Sequence, residues 1–380
     1  MGKVLFVATV VHLHIARFHI PYLKWFHDQG WQVDVAARND YEDPKDCEIP
    51  FCDHFYDLPF ERSPFRPENL LALKELKKLL AREHYDIIHC HTPMGGVVAR
   101  LAARKSREEG TKVLYTAHGF HFYRGAPILN WLLYYPVERI LAHWTDLLIT
   151  MNQEDTQIAK KFSCKRTAYV PGIGVDISQI SHHRSREEIR IQLGILPDTP
   201  VIFSVGQLIP RKNYGVALEA VARLGRKDVQ FWIAGTGASE GELRAQIDRL
   251  GLREQVKLLG FRSDIPDLLH AADVFFFPSR QEGLPVALME AMASGLPIVC
   301  SRIRGNTDLI DEGKGGYLAA PGDAEGFSRA LESILDGADT AEMRAYNRQK
   351  IQLFSREAVM EQMAALYQSV MNGDTACSIP

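Results

Sequence analysis

SRQEGLPVALMEAMASGLPIVCSRIRGNTDLI, residues 279–310, is the stretch whose reading decides the fold. The segment before it, DVFFFP, is a short apolar strand, and it runs into a turn carrying Glu282 and Gly283. A helix follows from about Pro285, and IVCS is the next strand. The helix is apolar on nearly every face, the mark of a buried helix, and its one charge is Glu290. No Lys or Arg stands three or four residues from Glu290 to pair with it. Either Glu290 finds polar partners such as the hydroxyls of a ligand, or it sits at a solvent-facing edge of the helix. The open N–H groups at the helix start, with Gly283 allowing close approach, suit a phosphate.

The same grammar extends outward in both directions. Strands are expected at 4–9, 32–36, 87–90, 113–116, 147–150 and 168–170, then at 201–205, 230–234, 256–258, 274–277, 298–301 and 316–318. Many are apolar without alternation, as parallel strands buried on both faces should be. Segments such as 67–82, 95–107, 214–224 and 284–293 are long enough for crossover helices. This predicts an α/β chain with two doubly wound domains. The boundary falls in PGIGVDISQISHHRS (171–185), giving a first domain over 1–175 and a second over 176–355. A final helix is expected at 356–371, and the closing GDTACSIP reads as frayed. Residues 1–175 hold 22 Lys and Arg against 20 Asp and Glu, and eleven of the fourteen histidines.

Composition narrows the class. The 380 residues are 46% hydrophobic and 24% charged, ordinary values for a globular chain of two or three domains. A formal net charge of −3 argues against a nucleic-acid partner. Six cysteines without a CxxC pair read as reduced thiols. No run supplies about 18 apolar residues for a membrane span, and MGKVLFVATVV lacks a signal-peptide cleavage site. A cytoplasmic protein, in contact at most with a membrane surface, is the expectation.

Two glycine loops and three histidine clusters carry the remaining chemistry. SVGQLIPRKN (204–213) follows an apolar strand and brings Gly206, Arg211 and Lys212 to a helix start, a phosphate seat or a solvated pair. AGTGASEG (234–241) lacks the third glycine of a dinucleotide loop and serves equally as a tight turn. His12 and His14, His89 and His91, and His118 and His121 all lie at strand ends on the carboxyl edge, where open α/β sheets place ligands. Their spacing matches no zinc pattern, and no Cys, Asp or Glu completes a set, so no metal is expected. Walker A and Asp-x-Asp sequences are absent.

Taken together, Glu282 and Glu290 as an E-x7-E pair, EGLPVALMEAMASGLPIV, VGQLIPRKN, LGFRSDIP and TAHGFHF resemble the retaining glycosyltransferases of family 4, in their capsule and exopolysaccharide branch. The resemblance covers essentially the whole chain. It implies the GT-B architecture, two Rossmann-like domains facing a central cleft, with the 356–371 helix crossing back onto the first. A nucleotide-sugar donor, expected to be UDP-linked, would bind the second domain, and a glycan or polyprenyl-linked acceptor the first. Lys212, assisted by Arg211, would neutralise the diphosphate, shared by the loop at Gly206 and the backbone at Gly283 and Leu284. Glu290 would hold the ribose diol, Glu282 the donor-sugar hydroxyls, and Arg262 would border the base. His118 matches the family histidine close to the donor sugar, and His12, His14, His91 and His121 are candidates on the acceptor side. No cofactor or metal is implied, because the nucleotide sugar is itself a substrate.

The chain departs from the family pattern in places. Gln207 stands where Arg is frequent, which loads more charge onto Arg211 and Lys212. TVVHLHIA lacks the common Gly-Gly, and Asp308 replaces a frequent Glu. A sugar-nucleotide epimerase and a non-catalytic sugar-nucleotide-binding subunit are the alternatives. A dinucleotide oxidoreductase is disfavoured because neither half carries GxGxxG with its acidic partner. Separately, Arg100, Arg104 and Arg107 share one helix face and, with the aromatic-rich 128–135 segment, suit docking on anionic lipid. The competing reading is a solvated charged face beside ordinary core packing.

Overall fold

Seven parallel strands make the first sheet: β1 (Lys3–Val10), β2 (Gln32–Arg38), β3 (His54–Asp57), β4 (Ile87–His91), β5 (Lys112–Ala117), β6 (Leu147–Thr150) and β7 (Arg166–Tyr169). Six make the second: β8 (Val201–Val205), β9 (Gln230–Ala234), β10 (Val256–Gly260), β11 (Val274–Phe277), β12 (Ile298–Ser301) and β13 (Gly316–Ala319). The computed structural model describes residues 2–180, 184–337 and 340–373. Residues 181–183 of the boundary segment and the closing 374–380, with Cys377, lie outside the described residues. The chain divides into two units, one running to Ile173 and resuming at Val359, the other Gly174–Ala358.

In the first unit the strand order is β3-β2-β1-β4-β5-β6-β7, so the winding reverses between β1 and β4. β1 and β4 are buried along almost their whole length, because helices cover both faces. The helix Glu68–Arg82 shows how its face is chosen: Ala72, Leu76 and Leu79, at helical spacing, are the apolar residues it buries, beside Asn69. β3 was not expected from the sequence. HFYD carries polar ends and is only half covered, so it lacks the apolar run that marks its neighbours. The helix Arg356–Met371 buries Val359, Met363, Leu366, Tyr367 and Val370 against this unit. The Tyr367 hydroxyl shares a 2.8 Å hydrogen bond with His89 Nδ1.

In the second unit the order is β10-β9-β8-β11-β12-β13, with the reversal between β8 and β11. Phe203, Trp232, Phe275 and Phe277 fill one side of the sheet, together with Leu288, Met289 and Met292 of the helix Val286–Ala293. Among the described residues no helix is long and apolar enough to cross a membrane.

Candidate functional site

In an open parallel sheet, the strands on either side of the reversal send their following loops apart, which leaves a crevice at the carboxyl ends. In the second unit those strands are β8 and β11. The loop after β8 brings Gly206, Arg211 and Lys212, and the loop after β11 brings Glu282 and Gly283. Glycine packing holds the neighbouring loops together. A Cβ on Gly235 would come within 1.9 Å of the Gly206 carbonyl oxygen, and one on Gly305 within 2.0 Å of the Gly283 oxygen. AGTGASEG is therefore a tight turn against the loop after β8.

The charges meet at Glu282. Its carboxylate accepts from Lys212 Nζ at 2.8 Å and pairs with Arg211 at 3.0 Å, and it is only 9% exposed. Lys212 Nζ also lies 4.7 Å from the centroid of Phe277, so the face of the β11 ring attracts the ammonium. Two cations held on one buried carboxylate form a preset seat for an anion carrying more than one charge. Glu290 lies one helix further on, half-buried, and among the described residues no side chain pairs with its carboxylate. Burial alone raises its carboxyl above the usual range.

Not every predicted residue stands free for a ligand. Arg262 is clasped by Asp264 through two hydrogen bonds of 2.7 and 2.6 Å. Gln207 is exposed, leaving Arg211 and Lys212 as the cations of this loop. The sequence reading passed over Asn213, whose left-handed backbone turns the chain into the next helix. Its amide donates to the carbonyls of Pro278 and Pro321 at 2.9 and 2.6 Å, pinning the cationic loop to the loop after β11. Arg304 was missed as well; it is buried and donates to the Glu282 carbonyl at 3.2 Å.

In the first unit the histidines sort into two groups. His12 is exposed and stacks on Tyr41, and His121 is exposed and stacks on Tyr134, so both stand apart from the others. His89 is structural, with one ring nitrogen on Tyr367 and the other on Thr116 at 2.8 Å. His14, His91 and His118 converge, joined by His19, which lies outside the strand-end pattern and was missed. Burial holds all four rings well below the ordinary histidine range, His118 at about 4, so they are neutral. Sequence spacing gave no sign of this convergence.

The arginine face expected to meet lipid is also corrected. Arg100 is fully buried, ion-paired with Glu138 at 2.9 Å and lying 3.9 Å over the Tyr115 ring. Arg107 makes a two-pronged pair with Asp146 at 2.9 and 3.1 Å, and Arg104 lies over Trp144. Helical spacing placed the three on one face, but Arg100 turns into the protein, Arg107 is held by Asp146, and only Arg104 stays exposed. The neighbouring helix Ile128–Leu141 is different: Ile128 (78% exposed), Leu129, Leu132 (66%), Leu133, Val137 and Ile140 lie open.

These features define a glycosyl transferase, and the chain belongs to that family. Residues 185–351 match the model for glycosyl transferases group 1, and residues 3–152 the model for glycosyl transferase 4-like domains. EpsD of Bacillus subtilis (strain 168), named as a glycosyltransferase, is 40% identical over 98% of both chains. A UDP-Gal:alpha-D-GlcNAc-diphosphoundecaprenol alpha-1,3-galactosyltransferase of Escherichia coli is 32% identical over 71% of each chain. Anabaena Alr3699/HepE, solved in complex with UDP, superposes with a TM-score of 0.80 at 22% identity, over 97% of this chain and all of that one.

Proposed function

We propose that the protein transfers a sugar, with retention, from a UDP-sugar to a polysaccharide or polyprenyl-diphosphate-linked acceptor of cell-surface glycan synthesis. The observation that carries this reading is the Arg211–Lys212–Glu282 cluster at the reversal of the second sheet, with the unpartnered Glu290 eight residues on. Lys212 and Arg211 leave Glu282 in part and take up the diphosphate, which frees Glu282 for donor-sugar hydroxyls. Glu290 accepts from the ribose diol, and the backbone at Gly283 and Leu284 shares the phosphate. The bond from C1 to the diphosphate oxygen breaks, C1 bonds to the acceptor oxygen, and the acceptor's proton passes to the departing diphosphate. Positioning and charge stabilisation supply the rate, and the two cations stand in for a divalent ion on the diphosphate. By the family resemblance His118 serves the donor sugar. The acceptor class follows the Escherichia coli relative, whose name gives a diphosphoundecaprenol-linked acceptor.

The test is thermal stabilisation by UDP, GDP, ADP and their sugar conjugates, with and without magnesium. A site filled at about 100 times its Kd gains about 2.7 kcal/mol. Selective, magnesium-indifferent stabilisation by the UDP compounds supports the reading. No shift with any nucleotide removes it in favour of a subunit without a donor site of its own.

Glu290→Gln is expected to weaken UDP-sugar binding about ten- to a hundredfold, the worth of hydrogen bonds to a charged acceptor, while leaving the melting temperature almost unchanged. The pH dependence has a definite sign. Donor hydroxyls favour the ionised carboxylate, and burial raises the pKa of the free site. Affinity should therefore fall on acidification at a pH above the usual carboxylate range, and E290Q should flatten that fall. Calorimetric titration with a UDP-sugar across the acid range measures both; an E290Q profile matching the parent's would remove Glu290 from the donor site.

The same reading places the enzyme on the membrane through the open apolar face of Ile128–Leu141 rather than through the arginines. That face carries six large apolar side chains, and burying each stabilises by up to about 1.5–3 kcal/mol. The double variant L129E/L132E should lose at least tenfold in binding to anionic vesicles in flotation assays. Unchanged flotation would exclude this face.

A further inference from the structure

We infer that the first unit carries a transition-metal site of the zinc class, formed by His14, His19, His91 and His118 at the reversal of its sheet. This goes beyond donor-sugar transfer and stands in a different unit from the diphosphate seat. His14 follows β1, His91 ends β4, and His118 follows β5, so the winding brings distant residues to one crevice. One ring nitrogen from each of the four lies within 4.8 Å of every other. Zinc bound to imidazole at about 2.0–2.1 Å in a tetrahedron sets its ligand atoms about 3.3–3.4 Å apart. His118 Nε2 and His91 Nδ1 stand 3.4 Å apart, where one ring N–H donates to the other, which leaves His91 Nε2 as the free nitrogen of that ring.

Hydrogen bonding points the same way. His14 Nε2, both nitrogens of His19 and His91 Nε2 are buried without a hydrogen-bond partner. A core histidine kept for structure looks like His89, satisfied at both nitrogens. A ligand set of imidazole alone selects zinc, copper, nickel or iron over magnesium and calcium, which want oxygen. His19 and His91 stack with centroids 3.8 Å apart, so closing on an ion turns one ring out of the stack. A small cavity walled by His19, Tyr22, His91 and Met151 lies beside the stack. His14 and His118 are half-exposed and form the entry side. Bound there, the ion would tie the segments after β1, β4 and β5 together and fix the His118 ring.

The experiment uses full-length, tag-free protein purified without chelator. Elemental analysis should find about one zinc per chain, falling more than about tenfold in His14→Gln and His118→Gln and unchanged in His12→Gln. Because a histidine variant can fail to fold, the parent protein stripped by chelator is also titrated with cobalt(II). Intense visible bands of tetrahedral cobalt, bleached by one equivalent of zinc, are the expected result. No retained metal and no cobalt bands would overturn the proposal, as would zinc content that both glutamine variants leave unchanged. UDP-induced thermal stabilisation of the same stripped protein reports the donor site separately, so either reading can fail without the other.

Discussion

Lys212→Met is expected to lower kcat/KM for the UDP-sugar by about 10²–10³, the usual cost of removing one charge-stabilising group from a transition state. Met keeps most of the aliphatic stem and removes the ammonium that lies over the Phe277 ring, a loss small enough that the fold should hold. Without Lys212, Glu282 keeps Arg211 as a partner, but Arg211 is on the more exposed side of the cluster, its side chain 42% open. Water screens it, and it compensates for little of the lost charge. The loss should appear mainly in kcat, because charge builds on the diphosphate as the sugar leaves. Lys212→Arg, which restores charge with different reach, should recover part of it. Steady-state kinetics with a melting curve on each variant decides the matter, and a K212M enzyme within about threefold of the parent would remove Lys212 from the diphosphate seat.

Arg100→Ala should destabilise the first unit by about 3–5 kcal/mol, because it leaves the Glu138 carboxylate buried without its counter-ion. The guanidinium also donates to the Gly96 carbonyl at 2.9 Å and covers the Tyr115 ring, so packing is lost with the charge. Replacing both partners, Arg100→Met with Glu138→Leu, should recover most of that stability, since an apolar pair of similar volume carries no desolvation cost. Arg104→Gln, at an exposed position, should change stability by no more than about 0.5 kcal/mol. Urea midpoints of the four proteins separate these cases. A folded R100A protein of parental stability that no longer binds vesicles would restore Arg100 to a lipid-facing role.

Both predictions bear on what could be read from residues alone. The strands were legible because a parallel strand covered on both faces must be apolar throughout, and short runs such as VIFSV and DVFFFP fit few other roles. β3 escaped because an edge strand needs no such run. The donor loops were legible through glycines: the collisions at Gly235 and Gly305 show why no side chain fits there. Asn213 and Arg304 were not, because their work is to hold backbone carbonyls of segments far away in the chain.

Sequence by itself determined the architecture, the placing of Lys212, Glu282 and Glu290 at the ends of strands or the helix beyond, and the family. It could do so because strand burial and helix-start chemistry are local properties, written in runs of a few residues. Tertiary structure decided the direction of the Arg100 face and the company of the histidines. Helical spacing says which side chains share a face but not what that face meets. Glu138, 38 positions away, turns the arginine inward, and only the winding of the first sheet brings ring nitrogens of His14, His19, His91 and His118 within 4.8 Å of one another.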